Sequence, residues 1–187
     1  YLKFGYIPAP LTIYKNLYKL EPGNYLRLNF SGKVIEHSEY YDIKFNIDRV
    51  PSYDEWLERV EEAIKKSVQY HKIADVPYGT FLSGGIDSSL IASYLTDTGK
   101  NVDAFTMGFD NQEFNEVPYA KQVAETYKLK HHIEYVDMNN MEDVFPKLIQ
   151  HYGEPFADSS AIPTYCITKK IREHLPVVLS GDGGDEA

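Results

Sequence analysis

Between residues 53 and 68 the apolar positions Trp56, Leu57, Val60, Ile64 and Val68 recur at intervals of three and four, while Glu58, Arg59, Glu62 and Lys66 fall elsewhere. That period predicts an amphipathic helix of about 20 residues, and Ser52 followed by Glu55 three positions later is a capping box for its start. Downstream the pattern changes. Short apolar runs at Val76–Leu82, Val102–Met107, His132–Val136 and Pro176–Ser180 alternate with helical stretches at Ser88–Thr96, Glu116–Tyr127 and near 141–151 and 161–173. A βαβαβ succession predicts an α/β fold: a doubly wound parallel sheet with helices on both faces. Upstream, Leu26, Leu28 and Phe30 alternate with Tyr25, Arg27 and Asn29, Ser31-Gly32 marks a tight turn, and Lys33–His37 returns. This predicts a short β-hairpin within residues 1–45, too small to be stable unless it packs on something else.

In a doubly wound sheet ligands gather at the carboxyl ends of the strands, where the strand order reverses. Two glycine-rich loops stand at such ends: Ser83-Gly84-Gly85-Ile86-Asp87-Ser88-Ser89 and Ser180-Gly181-Asp182-Gly183-Gly184-Asp185-Glu186. Glycine lets backbone approach an anion closely, and the helix after the first loop turns its free N–H groups and positive end toward it. The hydroxyls of Ser83, Ser88 and Ser89 are further donors. Asp87 repels phosphate unless it holds a Mg²⁺ ion bridging the phosphates, with Asp185 of the facing loop as second ligand. A lone Ser-Gly-Gly turn is ordinary loop chemistry, with Asp87 and Ser88 as caps. Two such loops, each behind a strand and each carrying an acid, point to a phosphate site. The first lacks the lysine of a Walker loop and the spacing of a dinucleotide fingerprint.

The 187 residues are 43% hydrophobic, 14% aromatic and 25% charged, a globular profile, with a net charge of −9. An acidic chain without a basic footprint speaks against unspecific binding to nucleic acid or anionic membrane. A single cysteine excludes an internal disulfide framework and suits a reducing cytoplasm. No apolar run approaches membrane-spanning length. Cys166 falls in a helical run, where core packing is its expected role. His131 and His132, neighbours on a strand, point to opposite faces and do not chelate one ion together. The tyrosines Tyr1, Tyr6, Tyr14, Tyr18, Tyr25, Tyr40 and Tyr41 read as a packing surface. The chain opens without Met on what reads as mid-domain sequence, which suggests a piece of a longer protein. Such a piece would expose apolar surface, so self-association, for instance as a homodimer, is expected.

SGGIDSS, residues 83–89, resembles the pyrophosphate-binding loop of the N-type ATP pyrophosphatases, and LSGDGGDE, residues 179–186, resembles the second signature of the asparagine synthetases within that group. FGYIPAPLTIYKNLYKLEPGNYL, residues 4–26, is similar to the junction where the N-terminal glutaminase domain of those enzymes ends. GEPFADSSAIPTY, residues 153–165, is similar to their stretch lining the amino-acid pocket.

The resemblance implies an adenine nucleotide alpha-hydrolase-like fold over 46–187, C-terminally truncated, behind a glutaminase remnant over 1–45. It implies ATP and Mg²⁺, with aspartate and glutamine-derived ammonia as substrates and the glutaminase domain as partner. The aspartate side chain would attack the α-phosphorus to give β-aspartyl-AMP and pyrophosphate, and ammonia would displace AMP. By motif position, Ser83, Gly84, Gly85, Asp87, Ser88 and Ser89 would hold pyrophosphate and Mg²⁺. Leu82 and Met107 would meet the adenosine through their backbones, Ser180 and Gly181 would lie against the nucleotide, and Asp185 would share Mg²⁺ with Asp87. Asp182 would serve the intermediate-forming step, and Asp158, Ser159 and Ser160 would sit between loop and amino-acid pocket roles. A related amidotransferase or β-lactam-forming synthetase acting on another carboxylate, and a non-catalytic nucleotide-binding fragment, are the alternatives.

Overall fold

The computed structural model describes residues 1–45, 50–96, 101–109, 115–135 and 141–184. In chain order the elements are β1 (Asn24–Leu28), β2 (Val34–Glu39), α1 (Tyr53–His71), β3 (Tyr78–Phe81), α2 (Ile86–Thr96), β4 (Asp103–Gly108), α3 (Val117–Tyr127), β5 (Lys130–Tyr135), α4 (Met141–Tyr152), α5 (Ala161–Ile171) and β6 (Val177–Leu179). They divide into two compact units: Tyr1–Val50 with Met141–Ile162, and Pro51–Asn140 with Pro163–Ala187.

In the first unit, β1 and β2 pair antiparallel, with an irregularity between Arg27 and Leu28. The Asn29 side chain organises the turn, accepting from the Ser31 and Lys33 amides at 3.1 and 2.8 Å. The opening segment is tied to the stretch after α4. The Ala157 amide donates to the Gly5 carbonyl at 2.8 Å, and Lys19 pairs with Glu154 while donating to the Ile7 carbonyl.

The second unit is built on a four-stranded parallel sheet in the order β5-β4-β3-β6. The first three strands run outward in one direction, and β6 returns to the other side of β3. The order therefore reverses between β3 and β6, so the expected fold class holds. Alternation along the strands assigns the two faces. Leu82 and Ala104 are buried with Ala92 of α2 and Ala120 and Ala124 of α3. Phe105 points the other way, with Ile167 and Ile171 of α5 and Leu175. The small side chains on the first face allow α2 and α3 to lie close against the sheet. A further cluster of Val68, Leu95 and Val102 seats α1 against α2. Apolar on nearly all sides, α2 suits a helix covered by the sheet and by neighbours on both flanks.

The capping box of α1 is present: Ser52 accepts from the Glu55 amide, and Glu55 accepts from that of Ser52 at 3.0 Å. Three starts differ from the sequence pattern by two residues: β3 begins at Tyr78 rather than Val76 and β5 at Lys130 rather than His132. The helix after the first glycine loop begins at Ile86 rather than Ser88. Asp87 therefore lies in its first turn, where a carboxylate is favoured by the free N–H groups and the helix dipole.

His131 and His132 face opposite ways, as expected of strand neighbours. His132 Nε2 and Lys130 Nζ both reach Asp103 Oδ1, at 2.6 and 2.9 Å, and the His132 ring stacks on Phe105 with centroids 4.7 Å apart. Partial burial pushes the Asp103 carboxyl up, but the bonds from Lys130 and His132 outweigh it and hold the group below its ordinary 3.8. A carboxyl depressed in the folded state stabilises the fold above its unfolded value, and that stability is lost as pH falls through the folded value. Asp103→Asn is expected to lower the unfolding free energy by about 1 kcal/mol at neutral pH. In urea melts the gap to the parent should close as pH falls below 3.8; a gap independent of pH would contradict the assignment.

Candidate functional site

The chain leaves β3 at Leu82 and turns into α2 through Ser83, Gly84 and Gly85. Three internal bonds brace the turn. The Ser83 amide donates to Ser88 Oγ at 3.2 Å, the Gly85 amide donates to Ser83 Oγ at 3.2 Å, and the two hydroxyls meet at 2.8 Å. Ser88 Oγ also reaches the Gly85 carbonyl at 3.3 Å. Ser83 and Ser88 thus shape the loop, while the first-turn amides of α2 lack helical acceptors and are the groups positioned to receive an anion. Ser89 Oγ is shielded from solvent and has no hydrogen-bond partner among the described residues.

Gly84 is required twice over. Its φ is +86°, and a Cβ there would come within 2.6 Å of the Ala120 amide nitrogen and of Tyr119 Cβ. The loop therefore presses directly on α3, a contact that the sequence pattern gave no means of finding.

Because β6 pairs with β3 in register Thr80↔Leu179, the second loop rises beside the first. A Cβ on Gly181 would lie 2.9 Å from Asp87 Cβ and from the Ser88 amide nitrogen, and one on Gly184 would lie 2.9 Å from Asp87 Oδ1. Backbone without side chains is what fits against Asp87. The Ser180 hydroxyl donates to Asp182 Oδ2 at 3.1 Å, which orients that carboxylate.

Between the loops lies a cavity of about 270 Å³ lined by Phe81, Ser83, Gly85, Asp87, Ser88, Ser180, Gly181 and Asp182. Seven of these eight were expected from sequence. Phe81, two positions before Ser83 on β3, was missed, although its place next to the loop was a usable signal. Two carboxylates, three serines, glycine backbone and a helix start make an oxygen-rich site suited to an anion accompanied by a cation.

Leu82 and Met107 do not line the cavity. Leu82 is fully buried, its amide donates to the Phe105 carbonyl at 2.9 Å, and its carbonyl accepts from Thr106 at 2.6 Å. Met107 packs with the Phe105 cluster on the other face. Asp185 lies outside the described residues. Cys166 lies partly buried in α5. Within the first unit, Asp158 lines a cavity of about 460 Å³ with Tyr14, Phe145, Tyr152 and Phe156 among its walls. The side chain and backbone of Ser160 hold the Asp158 carboxyl below its ordinary value. No helix among the described residues is long and apolar enough to cross a membrane.

Comparison with known proteins bears on this arrangement. Residues 59–187 match the family model described as asparagine synthase. Over the whole chain the sequence is 34% identical to Asparagine synthetase (glutamine-hydrolyzing) 1 of Bacillus subtilis, covering 29% of that protein. It is 29% identical to Asparagine synthetase (glutamine-hydrolyzing) 2 of Lotus japonicus over 84% of the chain and 29% of that protein. Among solved structures, the glutamine-dependent NAD+ synthetase of Acinetobacter baumannii in complex with adenosine diphosphate is similar at 18% identity and a TM-score of 0.44. That similarity covers 79% of this chain and 32% of the other. The chain spans under a third of the length of these two curated relatives. It belongs to the asparagine synthase family.

The fit around Gly84 is testable by comparison with Gly183, whose φ is +83° but whose Cβ would meet nothing within 4 Å. Gly183→Ala is expected to cost about 1 kcal/mol, the strain of the left-handed backbone alone. Gly84→Ala should cost at least about 1–2 kcal/mol more, because α3 must move to admit the methyl group. Urea unfolding of both variants measures the difference; equal losses would show that α3 does not press on the loop.

Proposed function

We propose that the cavity between the two glycine loops binds the phosphates of ATP and that the protein activates a carboxylate by adenylation for amide formation. The observation that carries this reading is the approach of Gly181 and Gly184 to Asp87 and Ser88, which makes one oxygen-lined cavity out of two loops at the reversal of strand order. Membership of the asparagine synthase family supports it.

The residues present fit a Mg²⁺ ion. Asp87 and Asp182 bring carboxylate oxygens to a single cavity. No cluster of three or more acidic, histidine or cysteine side chains able to cage an ion exists among the described residues. Mg²⁺ prefers one or two carboxylates with phosphate oxygens and water completing its shell, which is what this cavity offers. Asp87 is the first protein ligand in this reading and Asp185 the second. When bound, the ion neutralises charge on the phosphates.

The chain's own groups have distinct tasks in the proposed reaction. The side-chain carboxylate of aspartate attacks the α-phosphorus, the bond to the bridging oxygen breaks, and pyrophosphate leaves with the electron pair. The free amides in the first turn of α2 face the departing charge, where preorganised N–H groups are most effective. Ser83 and Ser88 keep those amides in place through their mutual bonds. Asp182, held by Ser180, stands at the other wall and is assigned to the adenylating step. Ammonia from glutamine, delivered by a glutaminase domain, then displaces AMP to give asparagine.

Calorimetric titration with ATP tests the reading. Binding is expected to require Mg²⁺, to be competed by AMP and by pyrophosphate, and to weaken at least about tenfold in Asp87→Ala. Binding indifferent to both Mg²⁺ and Asp87, in a folded protein, would overturn it. In the longer natural protein, exchange of pyrophosphate into ATP should depend on aspartate. Exchange driven equally by other carboxylates would shift the assignment to a related amide-forming enzyme.

A further inference from the structure

Thr80 and Thr106 are two polar residues in the centre of the sheet, 0% and 2% exposed. Both lie on the face that carries α2 and α3. Thr106 Oγ1 donates to the Leu82 carbonyl at 2.6 Å. Thr80 Oγ1 donates to the Leu179 carbonyl at 3.2 Å, sharing its proton with the Phe81 carbonyl at 3.0 Å. Leu82 and Leu179 are the residues directly before Ser83 and Ser180, so each buried hydroxyl holds the last carbonyl before one of the glycine loops.

A carbonyl and the amide that follows belong to one planar unit. Fixing the Leu82 oxygen therefore fixes the direction of the Ser83 N–H, which donates to Ser88 Oγ and so braces the loop. The Leu179 oxygen orients the Ser180 N–H in the same way, at the start of the segment that lies against Asp87. Thr106 is itself held. Its Oγ1 lies 2.7 Å from His131 Nε2, and because its proton points at Leu82, the ring nitrogen must be the donor. This assigns His131 the tautomer protonated at Nε2. Burial first, and then the charges of Lys121 and His132, push the ring's pKa below its ordinary value, favouring the neutral form.

We propose that Thr80 and Thr106 are positioning residues for the phosphate site, each setting the peptide plane from which a glycine loop departs, with His131 locking the Thr106 hydroxyl. The proposal rests on the reading of the cavity as an ATP site. Neither threonine lines the cavity; both act through the leucine carbonyls.

Thr80→Val and Thr106→Val keep the shape and remove the donor, while Thr→Ser at each position keeps the donor. For variants whose melting shows a folded protein, calorimetry with Mg²⁺ and ATP should find binding weakened about tenfold in either valine variant and restored in the serine variants. A lower melting temperature with unchanged affinity would mean that the hydroxyls serve stability alone and would overturn the proposal. Two further readouts need no nucleotide, so they separate its failure from failure of the ATP reading. The Ser83 and Gly85 amide resonances should shift in Thr106→Val and return in Thr106→Ser; unchanged resonances overturn the proposal even if the parent binds no ATP. Nitrogen-15 spectra of the imidazoles should show neutral His131 protonated at Nε2; protonation at Nδ1 would turn the Thr106 proton to the ring, release the Leu82 carbonyl and overturn the Thr106 half of the proposal.

Discussion

The parallel pairing of β6 with β3 is the constraint on which the rest of the arrangement depends. Register Thr80↔Leu179 sets two strand ends side by side although 99 residues separate them in the chain. Everything attributed to the cavity follows from that adjacency: the backbone of Gly181 and Gly184 against Asp87, the two carboxylates across one small space, and the amides of α2 aimed into it. A sheet of the same strands in sequential order would have carried the second loop beyond β5, and neither loop would have had a counterpart.

Charge makes the adjacency meaningful. Asp87 and Asp182 line one cavity in a chain whose net charge is already −9. Two carboxylates that face one anion site repel the anion unless a cation and further hydrogen-bond donors accompany it. In the proposed reading the glycines would serve this balance by keeping side chains out and leaving amides and the helix end to face the phosphates, as at other anion-binding helix starts. On that reading the positive charge needed to bind a polyphosphate would come from backbone dipoles and an ion, since among the described residues no basic side chain lines the cavity.

Much of this was legible in the sequence because it is local. The capping box at Ser52 and Glu55, the apolar period of α1 and the alternation of strand with helix rest on neighbours within a few positions. The loops were legible because there are two of them, each behind a strand and each carrying an acid, whereas either alone would read as an ordinary turn. The rest depends on contacts across the sheet. Nothing local says that α3 abuts Gly84, that Phe81 lines the cavity, or that Lys130 and His132 converge on Asp103. Thr80 and Thr106 read simply as β-branched strand residues, and their hydroxyls acquire a purpose only when the carbonyls opposite them are known. The start of α2 was misplaced by two residues because Ser88 looks like a cap, whereas its hydroxyl braces the loop from within the first turn.

The central claim is that both glycine loops bind a single ligand. Following the backbone amides of both loops by NMR during one titration with ATP and Mg²⁺ tests it most directly. The account predicts that Gly84–Ser89 and Ser180–Gly184 shift together along curves that yield one dissociation constant, with Mg²⁺ alone producing far smaller changes. Shifts confined to one loop, or two loops titrating with unrelated constants in a folded protein, would contradict it.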